Sequence, residues 1–185
     1  MTRHLHFIIN ERSSWDSVVH VDEFSIRELH FWLSSLKSLP NCVIAPIQRI
    51  PERIVFTDAS SYAGAGYTVQ FSNDIIHKMW TNDEIIKSST WRELKAVEIT
   101  LKGCVDFFKT KFVKLFTDNQ NVERISEVGS MKNDLQSLAI DIFHFAYKIV
   151  CLKVQRIPRE LNIIADQYSK IFHFGWSVAQ NFSLF

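Results

Sequence analysis

Four acidic residues stand at the ends of predicted strands or on predicted helices of this chain. They are Asp58 in VFTDAS, Glu93 in TWRELKAVE, Asp118 in LFTDNQ and Asp166 in NIIADQYSK. If such side chains converge, each pair repels by about 4 kcal/mol at a separation of about 4 Å and an effective dielectric of 20. A bound divalent cation offsets this repulsion, so a convergent set predicts a metal site. Such sites are typical of metal-assisted phosphodiester chemistry.

Each of the four residues also has a purely structural interpretation. Asp58 is suited to start the turn in SSYAGAG, Thr90 and Glu93 match a capping box, and Asp118 is placed to cap the next helix. Asp166 lies off the apolar positions of its helix, which predicts solvent exposure. However, TDAS and TDNQ both place Thr-Asp after an apolar strand, and neighbouring strands would bring these aspartates to one end of a sheet. The ordered set of four therefore favours a joint site.

The apolar pattern predicts five strands interspersed with helices. The predicted strands are RIVFTD, TVQF, DIIHKMWT, FVKLFTD and CLKVQRI. Helices are predicted over 90–108, NVERISEV, 135–150 and 162–171. Short turns join the first three strands, which favours antiparallel pairing. The order of elements predicts an α/β fold with a mixed five-stranded sheet flanked by helices.

Residues 1–50 have a different character from the rest of the chain. In SIRELHFWLSSLKSLP, Ser25 and Glu28 fit a capping box, and a stripe of leucines follows at helical spacing: Leu29, Leu33, Leu36 and Leu39. The predicted amphipathic helix needs a partner for its apolar face. We therefore predict three parts: an N-terminal helical connection segment over 1–50, the main domain over 51–172, and a truncated tail over 173–185.

Composition limits the class of protein. Apolar residues make up 46% of the chain, and no apolar run reaches the length of a membrane span. The N-terminus has too short an apolar run for a secretory signal, so we predict an intracellular protein, cytoplasmic or nuclear. The three cysteines are interpreted as reduced, buried thiols. Net charge is only +1, and the cations gathered near Asp166 are interpreted mainly as a solvated face: Lys148, Lys153, Arg156, Arg159 and Lys170.

The ordered carboxylates and the words around them resemble the ribonuclease H domain of retroelement reverse transcriptases. The matching words are TDAS, REL-x-A, TDNQ-x-V and N-x-x-AD-x-x-SK. MTR-x-L, SSWD, EL-x-FW and the ending IPRELN-x-x-AD-x-x-SK further resemble retrotransposons that carry a tyrosine recombinase, the DIRS-type group. The likeness extends over nearly the whole chain, but only residues 53–172 carry specific motifs.

This resemblance implies an endonuclease that cuts the RNA strand of an RNA–DNA hybrid with two Mg²⁺ ions, for which Mn²⁺ can substitute. In the family's scheme Asp58 bridges both ions, Glu93 and Asp118 hold one, and Asp166 holds the other. The resemblance also implies adjacent reverse transcriptase domains and no small-molecule cofactor. It assigns nucleic-acid contacts to four further residues, namely Ser60, Gln120, Arg156 and Asn162, with Gln120 in the minor groove, where the 2′-OH distinguishes RNA from DNA.

Two departures from the family pattern have consequences. Many members have a histidine ten residues before the last aspartate, where this chain has Arg156. We therefore expect slower turnover or an altered pH dependence. The segment between Val128 and Met131 is too short for the basic, Trp-bearing loop with which bacterial members bind the hybrid. This predicts weak hybrid binding by the isolated domain.

Other functions fit the sequence less well. A DEDD-type exonuclease usually has Asp-x-Glu on its first strand, whereas Ser60 stands two residues after Asp58. A transposase or integrase would need Glu on the last helix, which instead offers Asp166. The alternative from another class is a non-catalytic or domesticated nucleic-acid-binding relic of a retrotransposon, against which the intact set of carboxylates argues.

Overall fold

A computed structural model describes residues 2–36, 50–70, 75–146 and 151–171, together with the backbone of 147–149 and of 177–178. Its centre is a mixed sheet in the order β5-β4-β1-β2-β3-β6. The strands are β1 (Arg53–Ala59), β2 (Ala63–Thr68), β3 (Ile75–Met79), β4 (Phe112–Thr117), β5 (Cys151–Arg156) and β6 (Ser177–Val178). The number of strands in the five-stranded part of the sheet is confirmed, as is antiparallel pairing of the first three. The second strand was misplaced: it was predicted over TVQF with AGAG in a turn, whereas AGAGYT forms β2. The two-residue β6, which pairs with β3, was not predicted.

Helices cover much of the remaining described chain. They are α1 (Arg3–Asn10), α2 (Glu23–Ser35), α3 (Asn82–Ile85), α4 (Ser89–Gly103), α5 (Val105–Phe108), α6 (Gln120–Val128), α7 (Asn133–Ile149) and α8 (Ile163–Ser169). The helix predicted over 90–108 is divided, because Cys104 leaves the helical conformation between α4 and α5. In the part of the chain that the structure describes, no helix has the length and apolar character needed to cross a bilayer.

The parallel pairing of β1 with β4 is the feature of the sheet that matters most for function. Phe56 pairs with Phe116, so the carboxyl ends of the two strands lie side by side although α4 and α5 separate them in sequence. Strand β5 continues the parallel part of the sheet beyond β4. The shared core is made of aliphatic and aromatic side chains from these strands and from α4 to α7, including Val55, Leu94, Val97, Phe108, Leu115, Val122 and Leu138.

Helices α4 and α8 cover opposite faces of the sheet. Successive strand residues point to opposite faces, and Gly66 of β2 lies against Thr100 of α4 whereas Tyr67 meets Tyr168 of α8 edge-to-face. A Cβ atom at position 66 would lie 2.1 Å from the Thr100 Oγ1 atom. Glycine is therefore required for α4 to approach the sheet this closely, which fixes the height of α4 above β1 and β2.

The N-terminal segment packs on the main domain through α2 and α7, but not with the predicted face. Leu29, Leu33 and Leu36 are 42%, 71% and 59% exposed, while Leu39 lies outside the described residues. The buried face of α2 instead carries Ser25, Glu28, Phe31 and Ser35.

The predicted capping box on α2 is also wrong. The carboxylate of Asp22 caps the helix by accepting from the backbone N–H of Ser25 at 2.8 Å. Glu28 turns inward instead, and its carboxylate accepts from the Gln136 side chain at 2.7 Å and from the backbone N–H groups of His4 and Leu5. The carboxylate thus caps α1 and joins both N-terminal helices to α7.

Two smaller expectations concern the cysteines and the tail. Cys104 is buried as predicted, but Cys151 is exposed because it opens β5, which lies at the end of the described sheet. Cys42 and all of the tail except the backbone of 177–178 lie outside the described residues.

Candidate active site

Asp58 lies on β1, one residue before the strand ends, and is only 5% exposed. Its Oδ2 atom accepts a 2.6 Å hydrogen bond from the Ser169 hydroxyl of α8. Burial raises the pKa of Asp58, the Ser169 hydrogen bond opposes that rise, and the negative charges of Asp118 and Asp166 add to it. The side chain is thus fixed in position and surrounded by other carboxylates.

Glu93 lies on α4 and is 8% exposed. The predicted capping box with Thr90 is wrong, because the helix begins one residue earlier and the Ser88 side chain caps it by accepting from the Trp91 backbone N–H at 3.2 Å. Glu93 is therefore free of a capping role. Among the described residues its buried Oε2 atom has no hydrogen-bond partner.

The pKa of Glu93 is raised well above its ordinary value. Burial is the main cause, the charges of Asp58 and Asp118 add to it, and the backbone amide of Ala59 opposes it. A buried carboxyl group with one unpartnered oxygen is costly unless it is protonated or bound to a cation.

Asp118 directly follows β4 and precedes α6. The proposed helix-capping role is wrong, since Asn119 caps α6 with its side chain, which accepts from the Asn121 backbone N–H at 2.9 Å. Asp118, Asp58 and Glu93 each offer one carboxylate oxygen, and these three atoms lie within 4.8 Å of one another. Two neighbouring strand ends and one helix thus bring three of the four predicted carboxylates into one cluster, which we call the carboxylate cluster.

Asp166 of α8 stands beside the carboxylate cluster and not within it. Its Oδ1 atom accepts from Arg159 Nη2 at 3.1 Å and its Oδ2 atom from Lys170 Nζ at 2.5 Å. Lys170 first, and then Arg159, lower the pKa of Asp166, so its carboxylate is ionised and paired. It remains close enough to Asp58 for its charge to add to the rise that burial causes in the pKa of Asp58. The single Ser169 hydroxyl lies within hydrogen-bond distance of both the Asp58 carboxylate and the Asp166 backbone carbonyl.

Arg159 was predicted to lie on a solvated face with the neighbouring cations. Its side chain is 71% exposed, yet it pairs with Asp166, and the charges of Asp118 and Asp58 also raise its pKa. The same guanidinium opposes the upward pKa shifts of Asp58 and Glu93. It is therefore the cation that the four carboxylates share. The signal was the position of Arg159 in IPRELN, just before the helix that carries Asp166.

The four residues expected to contact nucleic acid differ in placement. Gln120 opens α6 and is exposed two residues after Asp118, and Arg156 is exposed at the end of β5. Asn162 is buried, and its side-chain amide donates to the Thr57 carbonyl of β1 at 3.0 Å. Ser60 donates to the Ser169 carbonyl at 2.5 Å and accepts from turn amides.

Solved structures resemble this fold, although neither a protein-family model nor a curated protein matches the chain. The RNase H1 of the halophilic archaeon Halobacterium salinarum NRC-1 is 18% identical with a TM-score of 0.53, and the match covers 63% of this chain and 92% of that one. A foamy viral protease-reverse transcriptase in complex with RNA/DNA hybrid is 15% identical with a TM-score of 0.47, covering 91% of this chain and 28% of that one. The archaeal likeness shows that the fold is ribonuclease H-like.

Proposed function

We propose that this chain is a metal-dependent endonuclease of the ribonuclease H type that hydrolyses the RNA strand of RNA–DNA hybrids. The observation that carries the proposal is the carboxylate cluster of Asp58, Glu93 and Asp118, with oxygens within 4.8 Å of one another at the strand ends of a ribonuclease H-like fold. Three carboxylates this close are stable together only with protons or cations between them.

The cluster fits a hard divalent cation. All of its donors are carboxylate oxygens, which Mg²⁺ and Mn²⁺ prefer, and the Oε2 atom of Glu93 lacks a partner among the described residues. Asp58, Glu93 and Asp118 would hold the first ion, and Asp58 and Asp166 the second. Such ions supply Lewis-acid stabilisation of the charge that develops on the phosphate and on the leaving oxygen.

The chain's own residues provide position and charge. Ser169 holds the Asp58 carboxylate through its 2.6 Å hydrogen bond, and Asn162 ties the start of α8 to β1. Together they fix the distance between Asp58 and Asp166. Arg159 and Lys170 pair with Asp166 and keep its carboxylate ionised, and a metal that bound Asp166 would take the place of these cations.

The substrate class rests on the resemblance of TDAS, TDNQ-x-V and N-x-x-AD-x-x-SK to the ribonuclease H domain of retroelement reverse transcriptases. Gln120 is exposed beside Asp118 and is suited to hydrogen-bond with 2′-OH groups in the minor groove. Arg156 is suited to contact a phosphate. Ser60 and Asn162 would act by supporting the site, since both side chains are engaged within the fold. By the same resemblance, the protein works inside the cell next to reverse transcriptase domains of a DIRS-type element.

Cleavage of a labelled RNA–DNA hybrid tests the proposal. We expect the wild-type chain to shorten the RNA strand in Mg²⁺ or Mn²⁺ and not in EDTA. Asp58→Asn removes one cluster charge with little change in shape and should lower the rate by at least about 10²-fold, the loss typical of a single transition-state group. Asp106→Asn, an exposed change on α5, is the matched control and should cleave like the wild type.

The outcomes separate the two candidate functions. A wild-type chain that binds the hybrid but does not cleave it with either metal would support the non-catalytic relic. Equal cleavage by wild type and Asp58→Asn would show that the activity does not come from the carboxylate cluster, and the proposal would be wrong.

A further inference from the structure

Both oxygens of Asp166 are bound to side-chain cations in this structure. Arg159 Nη2 donates to its Oδ1 atom at 3.1 Å, and Lys170 Nζ donates to its Oδ2 atom at 2.5 Å. Within the described part of the chain, no member of the carboxylate cluster forms an ion pair. Two positive charges therefore stand at the carboxylate that would take the second divalent ion of the proposed function.

Arg159 reaches Asp166 from outside α8. Lys170 stands four residues after Asp166, which is the ordinary spacing of an ion pair on one helix. Arg159 instead precedes α8, in the 3₁₀ turn Arg159–Leu161. Its backbone carbonyl accepts from the Asn162 N–H at 2.9 Å, and the Asn162 side chain in turn donates to β1. The backbone of Arg159 is thereby anchored, whereas its side chain is 71% exposed and can change rotamer readily.

The charge of Arg159 acts beyond its own ion pair. Burial raises the pKa of Asp58 and of Glu93, and the positive charge of Arg159 opposes both shifts. The pKa of Arg159 is itself raised by its hydrogen bond to Asp166, with a further contribution from the charge of Asp118. One exposed guanidinium is thus electrostatically coupled to all four carboxylates.

Charge balance determines what this coupling does to metal binding. Four ionised carboxylates carry four negative charges, which one divalent ion in the carboxylate cluster together with Arg159 and Lys170 would neutralise. A second divalent ion at Asp166 would meet both side-chain cations, with no excess negative charge among the four carboxylates to offset the repulsion. A cavity of about 230 Å³ beside the ion pair gives the guanidinium room to move, and its lining consists of Arg159, Glu160, Ile163 and Asp166.

We propose that Arg159 is a positioning residue that keeps a second divalent ion from Asp166 until its guanidinium leaves that carboxylate. The inference rests on the proposed function, since it concerns the second of the two ions proposed there. The chain alone then binds one divalent ion, in the carboxylate cluster, and the rotamer of Arg159 determines whether another ion binds. Lys170 adds to the repulsion, but Arg159 is the cation that also acts on Asp58 and Glu93.

Titration of the chain with Mn²⁺ in the absence of nucleic acid tests this role by counting bound ions. Free Mn²⁺ is measured by its paramagnetic resonance signal, which weakens when the ion binds to the protein. We expect the wild type to bind one ion. Arg159→Gln removes the positive charge, so it should bind a second ion with an affinity at least about tenfold higher than the wild type does.

Three further variants show whether the charge of Arg159 and the carboxylate of Asp166 are responsible. Arg159→Lys keeps a positive charge and should bind one ion, like the wild type. Arg159→Gln combined with Asp166→Asn should lose the second ion again. Lys109→Gln removes the same charge from an exposed position that precedes β4, whereas Asp118 follows that strand, and it should leave the number of ions unchanged.

The outcomes separate this role from the proposed function. One ion in every variant, or two ions of equal affinity in wild type and Arg159→Gln, would overturn the role of Arg159, while cleavage of the hybrid by the wild type would leave the nuclease standing. A second ion that persists after Asp166→Asn would also overturn it, because the ion would then bind elsewhere. No Mn²⁺ binding by either the wild type or Arg159→Gln would contradict the carboxylate cluster as well, and with it the proposed function.

Discussion

The balance of charge at Glu93 and its neighbours affects the stability of the fold. Burial and the nearby aspartates raise the pKa of Glu93 well above its ordinary value of 4.5, and burial also raises the pKa of Asp58. A carboxyl group with a raised pKa in the folded state favours folding while it is protonated. That contribution is fully present below the unfolded pKa and is lost as the pH rises through the folded pKa.

The free energy of unfolding of the metal-free protein should therefore fall as the pH rises from about 4.5 through the pKa of folded Glu93. Glu93→Gln retains an oxygen that can accept from Ala59 but does not titrate, so it should flatten this dependence. Urea unfolding in EDTA over a series of pH values measures it, with Asp106→Asn as the control. An equal pH dependence in wild type and Glu93→Gln would mean that Glu93 does not titrate as the geometry implies.

The pKa of Asp166 shifts in the opposite direction to the pKa values of Asp58 and Glu93, which distinguishes Asp166 from the carboxylate cluster. Its pKa is lowered by Lys170 and Arg159, so its contribution to stability is present above its unfolded pKa and is lost as the pH falls through the folded value. Its exposed ion pairs contribute little to stability. The pairing matters instead because Arg159 and Lys170 keep a carboxylate charged beside a cluster that disfavours further negative charge.

At the scale of elements, Glu28 explains how the N-terminal segment is held. Its fully buried carboxylate accepts from the first turn of α1 and from Gln136 of α7. A carboxylate at a helix N-terminus is stabilised by the backbone N–H groups that have no partner within the helix. The packing of α1 and α2 against α7 therefore depends on the Glu28 side chain.

Glu28→Gln should lower the free energy of unfolding by about 1–3 kcal/mol, since one acceptor oxygen becomes a donor that faces other donors in a buried place. Chemical denaturation measures the change. Glu11→Gln, an exposed change just after α1, should be neutral by comparison. A destabilisation no larger than that of Glu11→Gln would show that the carboxylate does not join α1 and α2 to α7.

The same helix shows what sequence patterns can and cannot predict. Leucine spacing located α2 correctly but predicted the wrong buried face, because the packing of α2 is decided by Glu28 and Phe31 meeting α1 and α7. These partners are distant in sequence, so local periodicity carries no information about them. Arg159 was assigned to a solvated face because it stands among other cations, although its position in IPRELN, just before the helix that carries Asp166, was a signal of the pairing that the structure shows.

The carboxylate cluster itself was predictable, because Asp58 and Asp118 follow two apolar strands that the repeated Thr-Asp pattern suggested were neighbours. The parallel pairing of β1 with β4 confirms that suggestion. The sequence could not show that Asp166 stands apart from the other three, since its position depends on the side chains that α8 and the preceding turn direct toward it.

For the whole molecule, the sheet order places opposite charges next to each other. Parallel strands bring the carboxylate cluster to one end of the sheet, and the ion pairs of Asp166 with Arg159 and Lys170 place positive charge beside it. A net charge of only +1 conceals this arrangement. A negative centre whose oxygens are suited to a divalent cation, next to exposed cations, would suit a polyanionic substrate.

The central claim is that Asp58, Glu93 and Asp118 together hold a divalent cation. The most direct measurement is calorimetric titration of the chain with Mn²⁺, without nucleic acid, for the wild type and for Asp58→Asn, Glu93→Gln, Asp118→Asn and Asp106→Asn. Because the loss of groups that only support a ligand commonly costs 10–100-fold in metal affinity, each of the first three substitutions should weaken binding by at least about tenfold, and Asp106→Asn should leave it unchanged. Equal Mn²⁺ affinity in all five proteins, or no binding by the wild type, would contradict the account.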